Sequence, residues 1–323
     1  MGVTIHEMFH TYFPMYVRTN EKRFAWMDEG WADFNTSYVV DRYFQGDTSL
    51  FIDDYGSSVG GTLGQFNDLP LITSTQFMDN SNYGYASYRL PAFVYAILHH
   101  HLGDELFAKC YKNYIERWAK KSPTPYDFFY TFEDVSGQDL AWLWTPWFFR
   151  YGNVDVKVQQ FEKGTLTIVN EGKRPVPVIV TVTYEDGSDW QKDYSAKEWG
   201  GKSTWNVKIP DWKKVASLSV NQGMPDASIV DNYYPSLQEQ YGDVPVPEEM
   251  IGRFRLNEFP ITVEFTKKDG LLYGSIAGMD NYFIPGDEGT YQSLDGNMIM
   301  KVEGEKLDLK LQNFGIEVTG SKM

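Results

Sequence analysis

The sequence predicts an α+β, multidomain chain. A mainly helical first half is followed by two all-β units, a β-sandwich and then a small β-sheet or barrel-like unit. Three observations carry this. Apolar residues recur at helical spacing up to about residue 152, and after Gly152 they alternate with period two. The acidic, proline-containing stretch GDVPVPEEM then separates two strand-rich tracts, as linkers do. The expected division of the 323 residues is 1–152, 153–235 and 236–323.

The helices are read in order. IHEMFHTYF is a helix that ends at Pro14. WMDEGWADFNTSYVVDRYF has helical spacing of apolar residues and stops at Gly46. Residues 47–82, rich in Gly, Asp, Ser and Asn, form a long irregular segment of the kind that builds clefts. ASYRLPAFVYAILHHHLG is closed by Gly103, DELFAKCYKNYIERWAKK is ended by SPTP, and PYDFFYTFEDVSGQDLAWLWTPWFFRYG holds two shorter helices. In the last unit, KKDG and VEGEK read as hairpin turns.

Hydrophobic residues make up 42% of the chain and charged residues 23%, which is a globular composition. The net charge of −15 argues against a nucleic-acid partner, because phosphate binding needs clustered Lys and Arg. No apolar run approaches membrane-spanning length. Cys110 is the only cysteine, so no intrachain disulfide forms; it lies in a helical stretch as a packed thiol. No compartment is read from these features. Aromatics reach 16%, and Trp190, Trp199, Trp205 and Trp212 read as a sandwich core or interface more readily than as a sugar platform.

His6 and His10 lie four apart, with Glu7 directly after the first. On a helix that spacing puts both imidazoles on one face, roughly 5–6 Å apart at Cβ. Two neutral imidazoles and a carboxylate suit zinc, with one position left for water. Glu7 is off the ligand row, where it can take a proton from that water. The plain alternative is two surface histidines on a helix, a pattern that arises by chance. Glu29 offers the third ligand, eighteen residues beyond His10. It sits among Trp26, Met27, Trp31, Ala32 and Phe34, and an acid in so apolar a setting needs a partner. Asp33, one turn on, reads first as a surface carboxylate paired at i,i+4 with Glu29. His99, His100 and His101 point in different directions and cannot share an ion.

H-E-x-x-H, eighteen residues, then Glu-Gly resembles the M1 family of zinc aminopeptidases, among the gluzincins. WMDEGWADF is similar to that family's W-x-x-E-G-x-A segment, with Asp28 where the family commonly has Asn. The resemblance extends through LGDELFAKCYKNYIERWAKKSPTPYDFFYTFEDVSGQDLAWLWTPWF and so covers residues 1 to about 151. It implies a thermolysin-like helical half and one Zn²⁺ per chain held by His6, His10 and Glu29. It implies Glu7 as general base, and peptide substrates cleaved in the aminopeptidase manner. It also implies a tyrosine that stabilises the oxyanion, fourteen residues before an L-G-[DE] helix end. Counting back from Leu102 gives Tyr88, with Tyr83 and Tyr85 as nearby rivals and Tyr88-Arg89-Leu90-Pro91 where the family often has Y-x-K-G. Likeness to related gluzincins, and not spacing, also makes Asp33 a candidate to hold a ligand histidine's other N–H.

Family members also carry a β domain before this helix and a G-x-M-E-N motif whose glutamate holds the substrate's α-amino group. The sequence contains no such motif. The expectation is therefore a C-terminal piece of a longer protein that binds zinc with weak peptidase activity or none. Two other readings stay open: another gluzincin hydrolase, endopeptidase or epoxide hydrolase, and a non-catalytic scaffold with β binding modules.

Overall fold

Each helix boundary has a local cause. The computed structural model describes residues 2–45, 59, 63–65, 68–221, 223–276, 279–294, 296–312 and 315–323. Helix α1 spans Gly2–Phe9. It stops about four residues short of the expected end, with turns continuing to Phe13. A residue before proline is pushed out of the α region, and the Phe13 carbonyl is held by the His10 ring (2.9 Å). Helix α2, Glu29–Val40, follows a 3₁₀ turn at Ala25–Met27. A π-helical turn, Tyr85–Arg89, leads into α3, Leu90–Trp118, with Pro91 in the first turn where its missing N–H is harmless. Gly103 breaks α3 at φ 73°, ψ 164°, the expected stop. Helix α4, Pro125–Ser136, starts with a Thr124–Asp127 capping box and ends at Gly137 in the left-handed conformation. Of the irregular segment expected at 47–82, residues 59, 63–65 and 68–82 are described; they hold turns, a 3₁₀ turn at Thr75–Phe77 and the start of a short helix at Asn80–Gly84.

Trp31 shows how the helices are packed. It is fully buried and stacks on Tyr95 of α3 at 3.9 Å, with Phe13, Phe107 and Phe128 also against it. Gly30 makes the close approach possible. A Cβ there would lie 2.8 Å from Pro91 Cβ and Cγ and 3.3 Å from a Tyr95 ring carbon. Gly30→Ala is expected to lower stability by about 1–3 kcal/mol through overpacking. Chemical denaturation measures this; an unchanged midpoint would show that Pro91 yields without cost.

Seven strands follow: β1 Val156–Glu162, β2 Thr165–Asn170, β3 Val178–Tyr184, β4 Asp189–Tyr194, β5 Thr204–Lys208, β6 Val215–Val220 and β7 Tyr233–Tyr234. They form two antiparallel sheets, ordered β1-β2-β5 and β4-β3-β6-β7. Leu166 and Ile168 of one sheet and Val180, Val182 and Leu218 of the other share a buried cluster. That cluster continues without a break into the helical half, through Trp147 and Phe148 to Trp31.

The last eight strands are β8 Gly252–Leu256, β9 Thr262–Lys268, β10 Leu271–Ile276, β11 Met279–Pro285, β12 Tyr291–Ser293, β13 Met298–Glu303, β14 Lys306–Leu311 and β15 Ile316–Lys322. They form a closed antiparallel barrel in which β15 pairs back onto β8. Its own core includes Phe254, Phe265, Phe283, Met300 and Leu309, and eight strands leave an interior that side chains can fill. Asp269 and Gly270 both have positive φ, as a two-residue type I′ hairpin requires. No helix among the described residues is long and apolar enough to cross a membrane.

Candidate metal centre

The C-terminal end of α1 meets the N-terminal end of α2. Helix dipoles favour this choice of residues, with imidazoles at the negative end of one helix and carboxylates at the positive end of the other. His6 Nε2 lies 3.1 Å from Glu29 Oε2, and His10 Nε2 lies 3.4 Å from the same oxygen. The two rings are edge to face with centroids 4.9 Å apart. One donor atom from each of the three residues falls within 4.8 Å of the other two, so the group could hold a metal ion; it is the only such group among the described residues. The three side chains are 16–20% exposed, which leaves them reachable yet partly desolvated. No residue of α1 is fully buried, and Val3 and Met8 are strongly exposed, so these polar contacts help hold α1 on α2.

The orientation of His10 is set from behind. Its Nδ1 lies 2.8 Å from Asp28 Oδ1 and 2.9 Å from the Phe13 carbonyl. Both are acceptors, so Nδ1 carries the hydrogen and Nε2 presents a lone pair toward Glu29 when the ring is neutral. Burial alone would lower the His10 pKa, but the Phe13 carbonyl and the Asp28 charge outweigh it and the net direction is upward. Burial also raises Asp28, to about 7, against the pull of His10. The sequence reading noted Asp28 only as a departure from the family pattern. Its position immediately before Glu29, at the N-cap of α2, was the available signal. Asp33, the candidate named from sequence, has Oδ2 3.4 Å from Arg89 Nη1 and lies close enough to His6 to feel its charge.

Tyr88 reaches the same place from the π-helical turn. Its ring stacks on His6 with centroids 6.0 Å apart and planes at 16°. Its hydroxyl lies near the Glu29 carboxylate; burial first, and then that carboxylate, push its pKa well above the usual range. Tyr83 lies edge-on to Tyr88, with ring centroids 6.2 Å apart. Tyr85 is buried, with its hydroxyl 3.4 Å from the Val59 carbonyl. Glu7 is exposed, one residue on from His6. The three consecutive histidines go to separate partners: His99 to Asp104, His100 to Asp193, and His101 to Ser195 and Gln138. Cys110 is buried against the α4 backbone.

Comparisons with known proteins bear on this half of the chain. Residues 1–147 match the model of the peptidase family M1 domain. Aminopeptidase M1-D of Oryza sativa subsp. japonica is 26% identical over 151 residues, which is 46% of this chain and 17% of that protein. Aminopeptidase M1-A of the same organism is 25% identical over 183 residues, 54% of this chain and 21% of its own length. The chain thus spans about a fifth of the curated relatives it matches. The fold is shared with the crystal structure of Legionella pneumophila aminopeptidase A in complex with aspartic acid. That likeness has a TM-score of 0.53 at 17% identity and covers 70% of this chain and 26% of the other. Over residues 1–147, somewhat less than half of its length, this chain is similar to the peptidase family M1 domain.

Proposed function

We propose that the chain carries the zinc centre of an aminopeptidase-type metallopeptidase, with one Zn²⁺ on His6, His10 and Glu29. The observation that carries this is the donor triangle with His10 already locked in the ligating tautomer. Two donors on a tetrahedral zinc, each about 2.0–2.1 Å from the ion, stand about 3.4 Å apart. The Nε2–Oε2 separations of 3.1 and 3.4 Å fit that geometry. Two imidazoles and a carboxylate are also the ligand types zinc accepts.

Zinc, when bound, acts as a Lewis acid and lowers the pKa of water. The chain's own groups do the rest. Glu7 takes the proton of the attacking water and passes it to the leaving amine. The Tyr88 hydroxyl, kept protonated by its raised pKa, donates to the oxygen that becomes negative. In this reading the helical unit 1–152 supplies the site, while 153–235 and 236–323 form two β units. The separate core of the barrel supports the second boundary.

Metal analysis of the purified chain tests the reading: one zinc per chain is expected, and none would overturn it. Peptide amides with a free α-amino group should be hydrolysed faster than their N-acetylated forms. The reverse order would assign an endopeptidase.

The support given by Asp28 has its own test. Asp28→Ala should weaken zinc binding about 10- to 100-fold, the usual effect of losing the group behind a ligating histidine. Asp28→Asn should cost less, because its amide oxygen still accepts the Nδ1 hydrogen. Competition against a zinc chelator measures both. Equal losses would mean that the charge of Asp28, not its hydrogen bond, matters.

A further inference from the structure

A cleft of about 330 Å³ lies where the end of the helical half meets the first β unit. It shares no residue with the donor triangle. Its apolar walls are Trp142 and Trp199, with Pro146 and Pro175 between them, and Arg150, Lys173 and Lys202 reach its lining. No aspartate or glutamate lines it, in a chain whose net charge is −15. Among the described residues none of the three cations is in an ion pair, although the chain carries 44 carboxylate side chains to 29 cations. The indole N–H of Trp142 is buried and has no acceptor among the described residues. Trp199 is 2% exposed, and its N–H is already taken by the Val176 carbonyl, so its ring is fixed.

We propose that this cleft binds a small organic anion, a carboxylate carried on a flat apolar body. The lining offers cationic donors but no carboxylate, so a ligand that brings its own negative charge is the complement. Indole and proline faces suit a planar apolar body. The volume is at the lower end of the roughly 300–1,000 Å³ of small-molecule sites, which sets a ligand of metabolite size. A seam between packed units is also where such sites concentrate.

Indole-3-acetate is the probe, titrated calorimetrically into the full chain beside indole-3-acetamide, its neutral isostere, and inorganic phosphate. Saturable binding of one indole-3-acetate per chain is expected, about 10-fold or more tighter than indole-3-acetamide, from charge-assisted bonds. The double variant Arg150→Gln/Lys202→Gln, both at exposed positions, should lose about 10-fold or more while zinc content and Tm hold. Trp142→Leu should also weaken binding, by removing the ring from the wall of the cleft. Four results would overturn the proposal. They are no saturable binding at low millimolar probe, equal binding of acid and amide, phosphate binding as tightly as the acid, or an unaltered affinity in the double variant.

Discussion

Replacing Glu7 by glutamine should leave one zinc per chain in place and lower whatever peptide hydrolysis the site supports by about 10²–10⁴-fold, the range for losing a general base. Glu7 follows His6 on α1, so it stands about 100° around the helix from the histidine row. His6, His10 and Glu29 close on one another without it, and its side chain is exposed. A proton acceptor needs that freedom, since it must meet water and then the leaving amine. Glutamine keeps the size and the hydrogen-bonding oxygen but cannot accept a proton at neutral pH. Zinc content and turnover therefore separate the possible roles. Loss of the metal in Glu7→Gln would make Glu7 a ligand or a structural group. An unchanged rate would move the base elsewhere.

The convergence of His6, His10 and Glu29 was legible because it rests on two rules that sequence carries. Residues four apart share a helix face, and a carboxylate set among tryptophans needs a partner. The reading that three consecutive histidines diverge follows from the same rule, and His99, His100 and His101 do find three different partners. What supports the triangle was less legible. Asp28 serves His10 because the chain turns at Phe13 and brings a backbone carbonyl and a carboxylate behind one ring. That is a product of tertiary path, which periodicity does not encode. The helical pattern likewise ran past the true end of α1: the expected stop is Pro14, but the chain leaves the α-helix after Phe9 and continues in turns.

The same limit applies to the β half. Alternation showed strands, and the turn residues at Asp269–Gly270 showed where a hairpin closes. Closure of the barrel depends on Gly320, Ser321 and Lys322 pairing with Leu256, Arg255 and Phe254, across the whole length of the unit. No local signal states that pairing. The change of period after Gly152 is real, yet Trp147 and Phe148 lie in one buried cluster with strand residues such as Leu166 and Val180. Periodicity tells what kind of element begins, and not what it packs against.

Tyr88→Phe should reduce kcat by about 10²–10³-fold with little change in KM, as expected for a donor used mainly in the transition state. The ring is placed by its stack on His6 and by the π-helical turn that carries it, and phenylalanine keeps both. Only the hydroxyl is lost. That hydroxyl lies near the Glu29 carboxylate, on the side of the ring's stack with His6. Its upward-shifted pKa keeps it a donor through the neutral range. Tyr83 is the informative control, because it touches Tyr88 and not His6 among the ring contacts. Tyr83→Phe should have a smaller effect on kcat, acting through the orientation of Tyr88. Tyr85→Phe should alter stability rather than rate, since its hydroxyl faces the buried Val59 carbonyl. If Tyr88→Phe leaves kcat intact while Tyr83→Phe lowers it, the oxyanion donor is Tyr83, and the stack on His6 is only packing.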